Sequence, residues 1–434
     1  MSSEERKSKR ACALFFRQEQ EVVNYMIKLI TKHRRWRLAA SILSLSLLTV
    51  MAGAAVAPAL NLIQEHFRDT DPIYVQMIIS MPAVFIALTN LFLFKPLSKR
   101  LRARTMLLIG LGFYVVFGCL AGAFSDIRLI LICRGLVGIG VGILMPLSTG
   151  LISFYFTKDK QAELMGYASA MNMLGGVVAT LIAGGLAMVS WRFSFLVYLL
   201  GLISVVLCLF WMPNERIYDS GKDVKEKGVF RRYLIFVVAM FLVMVTFFIY
   251  PADFAMETAK QGIIPQRFIA VIMAAMDVFG FFGGLASAPL RKGLGRNAKF
   301  SAPVFLLVGY LCLRFAGGWT GVLVGSFMVG FANGVGVPYV MTAASMQVGR
   351  SAATTVMPML SVSLYTAQFV TPFIISAVKA LTLHLGLSDS SYTVAVITAV
   401  LLFACCFAIR EPETKGDKAD SEKCTTGAEI ARTI

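Results

Sequence analysis

Asp277 is the residue with the most chemistry to offer. It stands at the middle of Phe268–Pro289, FIAVIMAAMDVFGFFGGLASAP, an apolar run long enough to cross a bilayer. At ~1.5 Å per residue its carboxylate lies roughly 15 Å from either membrane face. An ionisable group at that depth is costly and usually marks a substrate, ion or proton pathway. Desolvation favours its neutral form, so it can take up a proton from one side and release it to the other. Its helical neighbours Ala270, Ala274, Gly280 and Gly284 are small, which suits a face packed on other helices. The alternative is a buried Asp that serves packing alone, hydrogen-bonded to a neighbouring helix.

Arg134 is the one basic residue inside an apolar run, ~8 Å from its nearer end. It is a candidate to stabilise the charged form of Asp277, as is a bound organic ion. The competing reading is an arginine that snorkels to the surface. Asp253 and Glu257 read as solvated loop charges near the outer mouth and are second choices for protonation. No span pairs His or Cys with acids at metal-ligand or nucleophile spacing, and His33, His66 and His384 lie outside the spans. An enzyme is therefore not expected, nor a cofactor or metal. No G-x-x-x-x-G-K-[ST] occurs, which argues against an ATP-driven pump. Of the eight cysteines, Cys119, Cys133, Cys208, Cys312, Cys405 and Cys406 sit in apolar runs, and Cys12 and Cys424 in the tails. They form no secreted disulfide framework.

The elements that position these groups follow from composition. The 434 residues are 57% hydrophobic and 15% charged, against ~25% charged in soluble proteins. The apolar residues come in runs of ~20, the length that spans hydrocarbon. Twelve spans are expected, at about 38–62, 74–94, 105–124, 129–152, 164–188, 193–213, 233–252, 267–289, 300–317, 319–343, 353–378 and 391–409. The 250–267 region after the seventh is expected to be one of two long loops. No cleavable signal peptide is apparent, because the first long apolar run begins after residue 37. Residues 1–37 form a basic N-terminal segment, in which 15–36 read either as an interfacial amphipathic helix or as an unstructured basic tail. Residues 38–213 and 233–409 form two six-helix halves, joined by a linker over 214–232 and followed by a tail over 410–434.

Charge gives an orientation. Among the 41 Lys and Arg, only Arg68, Arg128, Arg192, Lys260, Arg267, Arg314 and Lys379 fall on the side opposite the termini, with Arg134 inside a span. Both termini are therefore expected in the cytoplasm, with the plasma membrane as the default location. The net charge of +17 sits in tails and short loops, so it argues for membrane topology and not for nucleic acid. The stretches outside the membrane are too short for soluble domains, which disfavours a receptor.

The halves look like copies. Leu136-Val137-Gly138 with Pro146 matches Met328-Val329-Gly330 with Pro338, each proline eight residues after its glycine and the glycines 192 apart. Lys95-Pro96-Leu97-Ser98-Lys99 matches Ala288-Pro289-Leu290-Arg291-Lys292 at 193. Six plus six spans related by a parallel repeat is a secondary-transporter layout.

Over roughly residues 36–412 the chain resembles the major facilitator superfamily. The 95–107 loop is similar to its inner-loop motif G-x-L-A-D-R-x-G-R-K-x-x-L. Leu97, Arg100, Arg104 and Leu107 match; Lys95, Lys99 and Arg102 stand where Gly, Asp and Gly would be. The family's Asp helps latch the cytoplasmic side, so Lys99 implies a latch built otherwise. Arg134 and the glycines from Gly135 to Gly142 resemble the span-four motif, whose Arg is linked to proton transfer in proton-coupled members. Gly184-Gly185 with Trp191, Arg192 and Phe195 resemble the drug–proton antiporter subgroup, although Thr180 and Leu181 replace its Gly-Pro. The resemblance implies an all-α twelve-helix fold with a central cavity lined by spans one, four, seven and ten. Thr49 and Asn333 would face that cavity, with Asn172 and Gln368 adding from neighbouring helices. The expected function is proton-coupled efflux of a small amphipathic organic compound by alternating access. The alternative is uptake of an organic anion or metabolite by symport or facilitation. The expected partners are a small-molecule substrate, protons and membrane lipid, with the chain acting as a monomer.

Overall fold

A computed structural model describes residues 36–53, 55–215, 229–347, 350–384 and 390–409. The amphipathic stretch read over 15–36 lies outside this set except for Trp36. So do most of the linker over 214–232 and the whole tail over 410–434. The described residues are helical apart from short turns. We number the helices α1 (Trp36–His66), α2 (Pro72–Arg100), α3 (Ala103–Ala123), α4 (Ile127–Tyr155), α5 (Lys158–Ala187) and α6 (Trp191–Trp211). The second half holds α7 (Val229–Gln261), α8 (Gln266–Leu294), α9 (Ser301–Phe315), α10 (Gly318–Gln347), α11 (Arg350–His384) and α12 (Ser391–Ala408).

Among the described residues, eleven helical stretches are long and apolar enough to cross a membrane, and length makes one of them two crossings. The helical stretch Gln266–Phe315 has 50 residues, ~75 Å of helix against ~30 Å of hydrocarbon. It must double back. It does so at Gly295, whose φ of +51 only glycine adopts without strain, and the turn Gly295–Phe300 leads into α9. Elsewhere side-chain caps start the helices: Asp71 accepts from the Ile73 amide, Asp126 from Arg128 and Ser390 from Tyr392.

One sequence expectation fails here. The span expected to end near 252 continues as α7 to Gln261, with Pro251 inside it. The loop expected over 250–267 shrinks to a turn at Gly262–Pro265, where Gly262 has φ +66. Pro251 is read from sequence as a stop, but Tyr250, Ala252, Phe254 and Ala255 are all buried, and that packing carries the helix through.

Large apolar side chains such as Phe92, Phe210, Leu285 and Phe407 are exposed around the bundle, as lipid-facing surfaces require. Inside it, the two halves repeat the same contacts. On α4, a Cβ at Gly138 would meet the Pro82 carbonyl of α2. On α10, a Cβ at Gly330 would meet the Met276 carbonyl of α8. The duplicated glycines therefore make the equivalent backbone approach, α2 to α4 and α8 to α10. The halves meet along two equivalent seams, α5 with α8 and α2 with α11. The bundle end that holds residues 36, 215, 299 and 409 is called the near end, and its opposite the far end.

Candidate functional site

Asp277 lies on the α5–α8 seam. α8 enters from the far end at Gln266, so Asp277 falls about halfway through it. Its carboxylate faces the other half: a Cβ on Gly176 of α5 would sit 3.1 Å from Asp277 Oδ2 and 3.4 Å from Val50 Cγ1 of α1. Gly176 has no side chain, and that is what leaves room for the acid. Asp277 is half-buried, and no hydrogen bond or ion pair to it is found among the described residues. The sequence alternative of an Asp tied to a neighbouring helix has no partner here.

One turn toward the near end, the single proton of Thr49 Oγ1 has two acceptors in reach, Asn172 Oδ1 at 2.6 Å and the Ser46 carbonyl at 2.8 Å. This joins α1 to α5, and Asn172 and Gly176 are four residues apart on one α5 face. Two of the four cavity candidates thus meet each other beside the acid. Asn333 and Gln368 do not join them. Asn333 is half-buried on α10 with its Oδ1 lacking a donor, and Gln368 is half-buried on α11. Gln368 follows Tyr365 by three residues, and Tyr365 crosses between halves to the Met145 sulfur of α4 at 2.8 Å.

Arg134 sits in another place. It is fully buried, so the snorkelling alternative fails. Its guanidinium donates to the carbonyls of Ala52 on α1 and Ile78 on α2, and to the Tyr198 hydroxyl on α6. The Tyr198 ring also lies 5.3 Å from the guanidinium carbon. The planar fork suits this three-way task. All three partners belong to the first half, and Arg134 makes no ion pair with Asp277.

At the near end, Leu97 packs on the core while Lys99 and Arg100 are exposed. Arg104 donates to the Leu209 carbonyl of α6. The next groups in the same corner are Glu215, whose carbonyl accepts from the Ala103 amide at 2.9 Å, and Tyr155, whose hydroxyl reaches Glu215 Oε2 at 3.0 Å. At the far end, Asn61 Nδ2 of α1 donates to Gln266 Oε1 of α8 at 3.4 Å, and Gln266 Nε2 donates to the Pro58 carbonyl at 3.1 Å. Gly184 of α5 lies directly against Ala270 of α8. The halves are in contact at the middle and at the far end.

Asp253 and Glu257 are not solvated loop charges. Both are buried on α7, at 3% and 5% exposure. Lys379 of α11 reaches Asp253 Oδ2 at 3.1 Å and Glu257 Oε2 at 4.0 Å.

The family model of the Major Facilitator Superfamily matches residues 42–372. The chain belongs to the major facilitator superfamily. It is therefore a multi-pass membrane transporter. Among its relatives, the multidrug efflux protein YfmO of Bacillus subtilis is 28% identical over 211 residues, 46% of this chain and 50% of that protein. The putative glycerol-3-phosphate transporter 2 of Arabidopsis thaliana is 28% identical over 144 residues, 32% of this chain and 29% of that protein. The chain thus spans half or less of the length of these curated relatives. A solved bacterial homologue of the human lysosomal transporter Spinster, in an inward-facing and occupied conformation, superposes with a TM-score of 0.68. It is 14% identical, covering 86% of this chain and 96% of that one, and shows the fold alone.

In superfamily terms, the inner-loop departure at Lys99 is set beside contacts from Arg104 and Ala103 to the α6 end and Glu215. No local signal in the sequence announces these, because Leu209 and Glu215 lie more than a hundred residues along the chain. Arg134, which resembles the superfamily's span-four Arg, is engaged by carbonyls and a tyrosine and by no acid among the described residues. Arg192, after the Gly184-Gly185 pair, ties α6 to the α3–α4 turn through the Gly122 and Phe124 carbonyls and Ser125.

Proposed function

We propose that this chain is a proton-coupled exporter of small amphipathic organic compounds, with Asp277 as the coupling acid. One observation carries the reading. Among the described residues, the only acid about halfway along the seam between halves, Asp277, faces the opposite half with no ion-pair partner. An acid placed there is covered when α5 and α8 close and uncovered when they part. Protonation would then be linked to which side the halves present. The Thr49–Asn172 pair one turn away supplies a polar edge in otherwise apolar surroundings. That suits an amphipathic solute better than a sugar, which would need many more hydrogen-bonding groups. Arg134, engaged by three acceptors, acts as a clip that holds α1, α2, α4 and α6 together. The relation to multidrug efflux proteins supports the direction. In this reading both termini face the cytoplasm of a cell whose plasma membrane holds the protein.

The test is proton movement in proteoliposomes, wild type against Asp277→Asn, with amphipathic cations, anions and neutral compounds added in turn. Compound-driven proton flux in the wild type, lost in the Asn variant, is expected. Equal flux in both removes Asp277 from coupling. Equilibration of labelled compounds without proton movement would mean a facilitator.

A further inference from the structure

The cluster at the far end of α7 buries two acids, Asp253 and Glu257, against one cation drawn in from a neighbouring helix, Lys379. Asp253 and Glu257 are one turn apart on α7 and face α11. Lys379 donates to Asp253 Oδ2 at 3.1 Å and so forms one compact ion pair. Its ammonium is 4.0 Å from Glu257 Oε2, beyond hydrogen-bond reach. Glu257 is 5% exposed, and its Oε2 accepts no hydrogen bond. The other groups acting on its carboxyl are the Ser390 hydroxyl at the start of α12 and Lys260, an exposed residue on α7 itself. From α12 the Tyr392 hydroxyl lies 3.5 Å from Thr258 Oγ1, beside the cluster. No further charged group from the other helices packed on α7 acts on Glu257 among the described residues.

We propose that Glu257 is a second proton-binding site, separate from Asp277, and that it carries its proton when the far end is closed. The argument is one of charge balance. Asp253 and Lys379 cancel. Lys260, the other cation near Glu257, is exposed to water, so an ionised Glu257 would leave a negative charge with no buried counter-ion of its own and an oxygen that has no donor, which is strongly unfavourable. A proton removes that charge and is the one ligand that needs no extra room. A metal ion is a poor fit, because the Lys379 ammonium already occupies the position between the two acids. The placement gives the proton a consequence. The far part of α7 packs on the far end of α1, and α11 packs on α2. Losing the proton places a bare charge between α7 and α11, the two helices that make these contacts with the first half, and opening the far end to water relieves it.

The experiment reads protonated carboxyls directly and does not depend on Asp277 having any role. The full chain is reconstituted with Asp277→Asn as the background, which leaves Asp253, paired with Lys379, and Glu257 as the acids of interest. Infrared difference spectra are recorded across a pH titration, and the C=O stretch of protonated carboxyl groups is followed. At neutral pH the background is expected to keep one such band, and adding Glu257→Gln should abolish it. Adding Lys379→Met instead should roughly double it, because Asp253 then loses its counter-charge and takes a proton too. The Gln side chain is nearly isosteric, so loss of the band without loss of monodispersity is the supporting result. If Glu257→Gln does not fold, the Lys379→Met arm still decides. Spectra unchanged by Glu257→Gln, or by Lys379→Met, overturn the proposal.

Discussion

Gly184 and Gly185 are adjacent on α5 and look equivalent in sequence, yet the structure makes them opposites. A Cβ at Gly184 would overlap the Cβ of Ala270 on α8 and stand 3.6 Å from Pro58 Cβ of α1. A Cβ at Gly185 would meet nothing within 4 Å. Carbon atoms rest at ~3.5–4.0 Å, so Gly184→Ala must push α5 and α8 apart by roughly 1–2 Å at the far end. Overpacking of this kind costs ~1–3 kcal/mol. The cost falls only on the state in which the halves touch there, so that state loses ~5–150-fold in population relative to one open at the far end. Gly185→Ala carries no such penalty. Replacing a helix-interior glycine by alanine should be neutral or add up to ~1 kcal/mol. The assay is a distance distribution between spin labels at exposed far-end positions, Val189 after α5 and Arg267 on α8, in a chain whose native cysteines are replaced. Gly184→Ala should shift weight to longer distances, Gly185→Ala should not, and Gly184→Ala with Ala270→Gly should restore the original distribution. If Gly184→Ala behaves like Gly185→Ala, or the double change does not restore the distances, the far-end contact does not control opening and the reasoning fails.

Arg134→Met should lower thermal stability by about 3 kcal/mol, within the range for breaking a buried charged network. Tyr198→Phe, which removes one acceptor, should cost ~1 kcal/mol; a scan of unfolding temperature checks both. If Arg134 is a clip and not a proton partner, folded Arg134→Lys should still couple compound and proton flux in vesicles, whereas Asp277→Asn should not. A double-mutant cycle of Thr49→Val and Asn172→Ala should give ~0.6 kcal/mol, the average for hydrogen bonds between membrane helices, with both single changes weakening the half-saturation concentration for transported compounds. Gly176→Leu should block proton binding at Asp277 by filling the space its carboxylate faces, read as loss of compound-driven proton flux, while Gly166→Leu, where nothing lies within 4 Å of a Cβ, should leave flux unchanged.

The number of spans, the doubling of the halves and the position of Asp277 about halfway along its helix were legible in the sequence, because each depends on run length or on spacing along a single helix. Pairings across helices were not. The partners of Arg134 are carbonyls on α1 and α2 and a hydroxyl on α6, and backbone oxygens leave no mark on residue type. The Thr49–Asn172 bond depends on how two helices are rotated toward each other, which an apolar segment flanked by small residues does not reveal. Asp253 and Glu257 were misplaced for a specific reason. Pro251, two acids and Lys260 together look like the end of a helix at the water boundary. The residue that balances the first acid is Lys379, 126 positions further along, where it resembles an ordinary cation at a span end.

The backbone contact between α8 and α10 limits how Asp277 can respond to a proton. Gly330 touches the carbonyl of Met276, the residue next to the acid, and Gly334 touches that of Gly280. A helix held by its neighbour at two successive turns has no free rotation about its own axis. A change of charge at position 277 cannot be answered by α8 swivelling alone; α10 has to travel with it. The pair therefore works as a rigid beam that passes through the acid's own level. If its middle shifts against α5, the two ends swing in opposite senses, so under the proposed coupling a proton taken up at Asp277 would be felt as opposite movements at the two ends of the bundle.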